Sequence, residues 1–397
     1  MENITTAKYE NGGLTLFLSG RIDSTNSAQV ETDVFAAVGE HPDAPVTVDL
    51  SALEYISSAG LRVLLRLRKA SGDVKVIEAS PEIYDIFEMT GFTEILDVKK
   101  AYRRISVDGC EVIGQGSNGK VYRIDTDTIV KVYLDPDSLP EIHRERELAR
   151  KAFVMGIPTA IPYDVVRVGD GYGSVFELLN AKSFSKLINA EPENIDKYIA
   201  LYVDLLKKIH SVELEPGDMP DQKGVALDWA AFLEGHLPDE IQKKLYKLVE
   251  EVPENHHMLH GDYHTKNVMM QNGEVLLIDM DTLCLGDPVF EFGGIYNAYV
   301  GFNEVDKQGG FNSFLGLSYD ACDRIFERTL ELYFGTEDEA KLREIKDKAV
   351  VVGQMRILRR SIKRLSGTPE GERQIARSKQ LLTELVPKID SLSFADA

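Results

Sequence analysis

The chain has 397 residues and a formal net charge of −20, and 43% of its residues are hydrophobic. This length predicts two or three domains with sizeable cores, and the acidity argues against nucleic acid or an anionic membrane surface as a partner. The three cysteines form no CxxC pair, and neither a signal peptide nor an apolar run of about 18 residues is recognisable. We therefore expect a cytoplasmic protein without disulfides or a membrane span.

Residues 1–100 predict a small α/β domain. The predicted strands lie at 14–20, 45–50 and 74–79, and the predicted helices lie at 27–38, 59–70 and 81–91. The last helix opens with Pro81 and closes with Gly91, the usual positions for these two residue types. Strands that alternate with helices imply a sheet with helices packed on it.

The pattern changes near residue 98. A basic stretch with few apolar residues leads into short strands joined by tight turns at 110–134, and helices dominate from about residue 194 onward. The predicted division is an α/β domain, a linker, a β-rich lobe and a helical lobe, at 1–100, 101–109, 110–180 and 181–397.

The segment "GQGSNGKV" at 114–121 is a candidate phosphate-binding loop, with glycines at Gly114, Gly116 and Gly119. A dinucleotide-binding fold needs a helix after the last glycine, but alternating strand residues follow here. A Walker A loop needs a hydroxyl side chain where Val121 stands. A strand, a turn and a second strand with this spacing favour the kinase type of loop, in which backbone N–H groups approach phosphates. A glycine-rich hairpin without a ligand is the alternative.

Lys131 lies on the third predicted strand of this region, where a kinase places the lysine that holds the α- and β-phosphates. Such a lysine pairs with a glutamate on the following helix. Glu147 lies just before the apolar face of that predicted helix begins, so it is the preferred partner, and Glu145 is the second choice.

The segment "HGDYHTKN" places Asp262 and Asn267 at the D-x-x-x-x-N spacing of a kinase catalytic loop. In that loop the aspartate accepts a proton from the attacking hydroxyl or orients it, and the asparagine reaches Mg²⁺. Asp279 follows twelve residues later, at the end of an apolar strand that would deliver a second metal-binding group. A zinc site at His260 and His264 lacks the further ligands that a tetrahedral site needs.

Together with "GDP" at 286–288, these motifs resemble the aminoglycoside and choline phosphotransferase family, a branch of the protein-kinase-like fold. The resemblance covers about residues 108–390. It implies a bilobal α+β fold that uses ATP and Mg²⁺, and it implies that the backbone near Glu177 and Leu178 binds adenine. It assigns the remaining roles to Asp262 as the base, Asn267 and Asp279 as metal ligands, Lys131 at the phosphates and Glu147 as its partner. Glu291 stands where the family usually has Asp, a difference expected to affect support of the loop.

"VTVDLSALEYISSAGLRVLL" at 46–65 resembles the STAS domain of anti-sigma factor antagonists. In that family the serine at the position of Ser58 is phosphorylated by a partner kinase, and the phosphate controls binding. A phosphate at a helix N-terminus would meet free N–H groups and disturb a docked protein. Ser57 replaces the family's usual Asp. The alternative is that Ser57 or Ser58 is a simple N-cap.

The sequence therefore predicts an ATP- and Mg²⁺-dependent phosphotransferase with a regulatory STAS domain. Its acceptor is expected to be a small hydroxyl compound such as an aminated alcohol or an aminoglycoside, and a regulatory protein is expected at the STAS domain. Two alternatives stay open. One is a protein Ser/Thr kinase that acts on a STAS-type partner, and the other is a nucleotide-sensing scaffold without turnover.

Overall fold

The computed structural model describes residues 4–116, 118–305 and 311–394. The chain divides into two units. The first comprises 1–108 with 165–173, and the second comprises 109–164 with 174–397. None of the helices in these described ranges combines the length and the apolar character needed to cross a bilayer.

The regular elements follow in chain order. The strands are β1 Thr5–Glu10, β2 Gly13–Ile22, β3 Val46–Ile56, β4 Val74–Ala79, β5 Asp97–Lys100, β6 Arg103–Ile105, β7 Glu111–Gln115, β8 Gly119–Arg123, β9 Thr128–Tyr133, β10 Asp164–Val168, β11 Gly171–Glu177, β12 Lys182–Ser183, β13 Met258–Leu259, β14 Val268–Gln271, β15 Glu274–Leu277, β16 Cys284–Leu285, β17 Phe311–Asn312 and β18 Leu317–Ser318. The helices are α1 Ser27–Glu40, α2 Ser58–Ser71, α3 Pro81–Met89, α4 Leu139–Val154, α5 Phe184–Ala190, α6 Ile195–His210, α7 Gln222–Phe232, α8 Asp239–Glu250, α9 Pro288–Tyr299, α10 Tyr319–Phe334, α11 Glu339–Leu365 and α12 Pro369–Leu385.

The first unit is an α/β layer structure. Its sheet has the order β1-β2-β3-β4-β5, with β1 antiparallel to β2 and the following strands parallel to one another. Every second residue of β2 from Leu14 to Leu18 is buried, as expected for a strand with one face on a core. The predicted strands and helices of residues 14–91 are all present, whereas β1 and β5 were not predicted.

Helix α2 begins at the turn where the sequence analysis placed a candidate phosphorylation switch. Ser57 is its N-cap and its Oγ accepts a hydrogen bond from the Ala59 N–H at 3.2 Å. Ser58 is therefore the first helical residue, and its side chain is exposed. At Gly60 a Cβ atom would lie 2.7 Å from side-chain carbons of both Ile22 and Ile56, so only glycine lets the helix pack this closely.

The predicted linker contains a strand. β6 pairs in parallel with β10 of the same unit, with Arg103 opposite Val166 and Ile105 opposite Val168. A three-residue strand with exposed arginines has no apolar alternation that would identify it in the sequence. The proposed domain boundaries themselves remain a prediction.

The second unit has a β-rich lobe followed by a helical lobe. β7 pairs antiparallel with β8, β8 pairs antiparallel with β9, and α4 follows. Helices α5 to α12 pack around a separate large hydrophobic cluster that extends from Leu148 to Leu392. The short pairs β14–β15 and β13–β16 hold the loop at 260–267 and the segment at 278–283 in this lobe.

Candidate active site

A cavity of about 510 Å³ lies in the second unit between the glycine loop, the end of β11 and the loop at 260–267. This volume is in the range of small-molecule sites. Nearly all the residues singled out in the sequence line it: Gly114, Gly116, Gly119, Val121, Lys131, Glu177, Leu178, Asp262, Asn267 and Asp279. Glu147, the predicted partner of Lys131, does not line it.

Lys131 forms an ion pair with Glu145, which was the second choice in the sequence analysis. Its Nζ lies 3.0 and 3.1 Å from the two carboxylate oxygens, and the two side chains are only 16% and 6% exposed. Burial would lower the pKa of Lys131, but the charges of Glu145 and Asp279 outweigh it and raise that pKa well above its ordinary value. Lys131 is thus a firmly held cation.

The prediction of Glu147 as the partner of Lys131 is wrong. The Glu147 side chain is 69% exposed and lies 3.6 Å from Lys151, one helical turn further along. Two residues correspond to about 200° around a helix, so Glu145 and Glu147 face opposite ways. Glu145 shares the buried face with Leu148, Ala149 and Ala152, which makes it part of that face and not a residue before it.

Tyr133 is a member of the site that the sequence analysis missed. It stands two residues after Lys131 on β9 and donates a hydrogen bond from its hydroxyl to Glu145 at 2.5 Å. Burial and the neighbouring Glu145 charge raise the pKa of Tyr133 well above its usual range, so it stays a donor. The period of two in a strand, which puts residues i and i+2 on one face, was the signal that could have found it.

Asp279 reaches the same cation from the other lobe. Its Oδ1 lies 3.1 Å from Lys131 Nζ. Asp279 has a φ of 64°, the left-handed region that a non-glycine residue rarely adopts, and such strain is common where a side chain must be aimed into a site. The turn therefore directs this carboxylate into the cavity.

Asp281, beside Asp279, is a second residue of the site that the sequence analysis missed. Burial raises the pKa of Asp281 to about 6, and the negative charge of Asp279 adds to the effect. Asn118 of the glycine loop donates a hydrogen bond to Asp281 at 3.5 Å. The "DMD" spacing of i and i+2 was the sequence signal, but only the fold brings Asn118 to it.

The loop at 260–267 presents Asp262 toward the cavity. Asn267 Nδ2 donates to the Asp262 carbonyl at 3.0 Å, which fixes the loop and leaves the amide oxygen of Asn267 for another partner. His264 Nε2 lies 3.4 Å from the Asp262 carboxylate. Burial would raise the pKa of Asp262, but the hydrogen bond and charge of His264 lower it to about 2.

Glu291 and His260 support this loop from below. The buried Glu291 carboxylate accepts hydrogen bonds from the N–H of His260 at 2.5 Å and of Gly261 at 3.1 and 3.2 Å. Burial would raise the pKa of Glu291, but contact with His210 and these amides lowers it. His260 is buried and its Nε2 lies 3.3 Å from the Ile278 carbonyl, so it packs the loop.

The three glycines of the phosphate-loop candidate differ in what surrounds them. At Gly119 a Cβ atom would lie 2.4 Å from the Val132 carbonyl oxygen, so the strand pairing itself requires glycine. At Gly116 a Cβ atom would meet no described atom within 4 Å. Ser117 lies outside the described residues. The open space at Gly116 is what a ligand that approaches the backbone would need.

The backbone at the end of β11, where adenine binding was predicted, already uses one of its N–H groups in a hydrogen bond within the protein. The Leu178 N–H donates to the Asp127 carbonyl at 2.7 Å. Glu177 and Leu178 line the cavity, and so does Leu179. The Leu178 N–H is thus already engaged, and an adenine ring would use the carbonyl groups of this segment or the neighbouring Leu179.

The donors in the cavity fit magnesium better than a transition metal. No cluster of three or more His, Cys, Asp or Glu side chains suited to a metal occurs in the part of the chain that is described. Mg²⁺ prefers oxygen ligands and is usually held by one or two carboxylates with phosphate oxygens. The Asp279 carboxylate and the amide oxygen of Asn267 match that preference, and the mutual repulsion of Asp279 and Asp281 would be relieved by a cation.

Comparison with known proteins assigns each unit to a protein family. Residues 109–325 match the family model of the phosphotransferase enzyme family (APH), and residues 3–105 match that of the STAS domain. Because the first match extends over more than half of the chain, the chain belongs to the phosphotransferase enzyme family and carries an N-terminal STAS domain. The predicted fold class is confirmed: an α/β STAS domain precedes a phosphotransferase-family domain with a β-rich lobe and a helical lobe.

Two curated proteins resemble the first unit. BtrV of Bordetella bronchiseptica, named as an anti-sigma factor antagonist, is 38% identical over 92 residues, which are 22% of this chain and 78% of BtrV. The anti-sigma F factor antagonist of Paenibacillus polymyxa is 23% identical over 95 residues, which are 23% of this chain and 81% of that protein.

Solved structures resemble the second unit at low identity. The ADP-bound aminoglycoside phosphotransferase APH(2'')-Ib is 16% identical with a TM-score of 0.49, and the match covers 70% of this chain and 92% of that one. A choline/ethanolamine kinase family protein from Mesorhizobium loti is 15% identical with a TM-score of 0.46, covering 70% and 91% of the two chains.

Proposed function

We propose that this protein transfers the γ-phosphoryl group of ATP, with Mg²⁺, to a hydroxyl group of a small acceptor, and that the STAS domain regulates this activity. The main support is the cluster around Lys131. One buried cation lies 3.0 Å from Glu145 and 3.1 Å from Asp279, in the same cavity as Asp262 and Asn267. These five side chains are the set that phosphoryl transfer needs.

Phosphoryl transfer requires one bond to form and one to break, and residues in the cavity can assist both changes. The acceptor oxygen forms a bond to the γ-phosphorus while the bond from that phosphorus to the β–γ bridging oxygen breaks, so ADP leaves with the electron pair. Lys131 neutralises charge on the phosphate oxygens, and Glu145 holds Lys131 in place. Asp262 orients the acceptor hydroxyl and takes its proton.

The low pKa of Asp262 fits an orienting role. A carboxyl group with a pKa of about 2 is ionised at neutral pH and accepts a hydrogen bond from the hydroxyl in the ground state. It is a weak base, so proton transfer occurs late, when the new bond to phosphorus has made the hydroxyl acidic. A loose phosphoryl-transfer transition state tolerates such a late transfer.

Asp279 and the Asn267 amide oxygen would hold Mg²⁺, which when bound supplies charge neutralisation at the β- and γ-phosphates. Lys131 then has to share Asp279 with the metal, and Glu145 remains its permanent partner. The strained backbone of Asp279 keeps its carboxylate aimed at this position.

A regulatory role for the STAS domain is supported by the exposed Ser58 in the first turn of α2. Ser57 already caps the helix, so Ser58 is not needed for capping. A phosphate on Ser58 would lie near the N–H groups of the first turn and would change the surface offered to a partner protein.

Replacing Asp262 tests the catalytic part of this proposal. Asp262→Asn removes the acceptor of the hydroxyl proton, so ADP formation should fall by about two orders of magnitude or more while ATP affinity stays near wild type. ADP release with a panel of hydroxyl compounds and calorimetric ATP titration measure the two quantities. Asp204→Asn, the same change on the exposed face of α6, is the control.

Two results would reject the proposal. One is an Asp262→Asn variant that turns over ATP at the wild-type rate. The other is a wild-type chain that fails to bind ATP with Mg²⁺ at all.

A further inference from the structure

The C-terminal half of α11 carries a dense row of positive charge in a chain with a net charge of −20. Within residues 356–364 five residues are basic and none is acidic. We call this set the basic row: Arg356, Arg359, Arg360, Lys363 and Arg364. Spacings of three, four and seven residues place these side chains on one side of the helix.

The basic row begins next to the catalytic loop. Arg356 is half-buried, and its Nη1 lies 3.4 Å from the carbonyl oxygen of Gly261, the residue before Asp262. Lys363 stands seven residues further along the helix, which corresponds to about 10 Å. The row therefore begins beside the residue that precedes Asp262 and extends over a distance comparable with the length of a small molecule.

Four of the five cations of the row lie over aromatic rings. Arg356 lies 5.6 Å from the ring centre of Trp229, Arg359 lies 5.7 Å from that of Phe232, and Lys363 lies 4.9 Å from the same Phe232 ring. Such stacking positions a cation and leaves its N–H groups able to donate hydrogen bonds.

In the described ranges of the chain, no carboxylate oxygen lies within 4.0 Å of any cation of the row. The first half of the same helix differs, because Lys346 pairs with Glu327 and Lys348 pairs with Glu344 at 2.8 Å. The Nε of Arg359 is buried without a hydrogen-bond partner among the described residues. A buried donor of this kind costs free energy unless a ligand satisfies it.

We propose that the basic row binds a phosphate or carboxylate group of the acceptor, so that the acceptor is an anionic alcohol. This inference rests on the proposed function, because it names the substrate class of the same site. It replaces the aminated acceptor expected from the sequence, since a cationic group beside these five cations would be repelled. Arg356 Nη1 lies 3.4 Å from the carbonyl oxygen of Gly261, the residue before Asp262, so an anion bound there and the reacting hydroxyl can belong to one small molecule.

Trp229 provides a direct readout. It is the only tryptophan of the chain, and a ligand that engages Arg356 changes the environment of its indole. The full chain is saturated with ADP and Mg²⁺ to fill the nucleotide cavity, and its fluorescence is titrated with glycerol 3-phosphate, glycerate, glycerol, choline and kanamycin. We expect saturable changes with the first two only, and the comparison of those two distinguishes phosphate from carboxylate recognition.

Double variants test whether the fluorescence response to anions depends on the basic row. Arg359→Gln with Lys363→Gln should weaken the anion response about tenfold or more, because two charge-assisted contacts are lost. Arg360→Gln with Arg364→Gln, both exposed, tests the row again if the first pair does not fold. Lys341→Gln with Arg343→Gln removes the same charge from exposed positions at the other end of α11 and should leave the response unchanged.

Several results would overturn the inference: a response to choline or kanamycin without one to the anions, no response to any probe, or equal responses in both sets of variants. A response to poly-glutamate without one to the small anions would replace the small molecule by an acidic protein. ADP affinity is measured separately by calorimetry. A chain that fails to bind ADP contradicts the proposed function, whereas the tryptophan titration repeated without nucleotide still decides the question of the anion.

Discussion

Lys131 is placed between two carboxylates that come from different lobes of the second unit. Glu145 lies on the buried face of α4, and Asp279 stands at the end of the segment after β15. Removing one partner of a buried ion pair leaves an uncompensated charge, which costs more than the pair gains. The position of this lysine therefore depends on both partners, and each of them can be tested.

Glu145→Gln should lower the free energy of unfolding by about 1 to 3 kcal/mol and weaken turnover about tenfold or more, because Lys131 and Tyr133 lose a charged acceptor. Glu147→Gln is the matched control on the same helix, and its exposed side chain predicts effects within about 0.5 kcal/mol. Chemical denaturation and ADP release measure both. Equal losses in the two variants would mean that the ion pair between Lys131 and Glu145 contributes to neither stability nor turnover.

Asp279→Asn should remove the Mg²⁺ dependence of ATP binding, because a neutral amide is a much poorer ligand for a hard cation than a carboxylate. Asparagine tolerates the left-handed φ of this position, so the loss would not come from backbone strain, as it would with alanine. Calorimetric titration with ATP, with and without Mg²⁺, is the measurement. If Mg²⁺ strengthens ATP binding equally in the variant and the wild type, Asp279 is not a metal ligand.

At the scale of elements, the β7–β8 hairpin contains one glycine that the fold requires and one that only a bound ligand would require. Gly119 packs against the backbone of β9, whereas the space around Gly116 is open. Glycine is therefore needed at these two positions of one motif for different physical reasons.

Gly119→Ala should destabilise the fold by about 1 to 3 kcal/mol, because its methyl group would overlap the Val132 carbonyl. Gly116→Ala should melt like the wild type and bind ATP more weakly, because the methyl group would occupy the space for phosphate. Thermal melting and ATP titration of the two variants separate these effects. A Gly116→Ala variant with unchanged ATP affinity would argue that the hairpin does not cover the nucleotide.

At the scale of the whole molecule, each unit has a hydrophobic core of its own. One cluster extends from Leu14 to Leu96 and the other from Leu148 to Leu392. Units with separate cores are expected to fold separately. The strand β10 follows part of the second unit along the chain, but its residues from 165 onward belong to the first unit, where β10 pairs with β6.

The fragment 109–397 should therefore fold and bind ATP with nearly the affinity of the full chain, and it should melt at a lower temperature because β10 loses its partner β6. Ser58→Asp in the full chain should melt within a few degrees of the wild type, since the helix dipole tolerates a carboxylate in the first turn. Its ADP release rate should change if the STAS domain regulates turnover.

Calorimetry and ADP release on the fragment and on Ser58→Asp decide between two roles. Loss of ATP binding in the fragment, together with an unaltered Ser58→Asp variant, would make the STAS domain a structural support and not a regulator. Ser51→Asp, at another exposed serine of the first unit, controls for added charge.

The sequence by itself determined what depends on local order along the chain. The spacing of Asp262, Asn267 and Asp279 and the position of Lys131 on a third strand were readable because neighbours in sequence form these loops and strands. The alternation of strands and helices likewise predicted the α/β class of the first unit. The fold of the second unit was predicted from the ordered motifs, through their resemblance to a known family. The turn that caps α2 was readable for the same reason.

The tertiary structure decided what depends on contacts between distant residues. Whether Glu145 or Glu147 meets Lys131 depends on how α4 is rotated against its lobe, and a change of two residues reverses the side that faces the core. The Leu178 N–H is used by Asp127, 51 residues earlier, and Arg356 reaches Gly261, 95 residues earlier. Packing alone brings such pairs together, so no local pattern could reveal them.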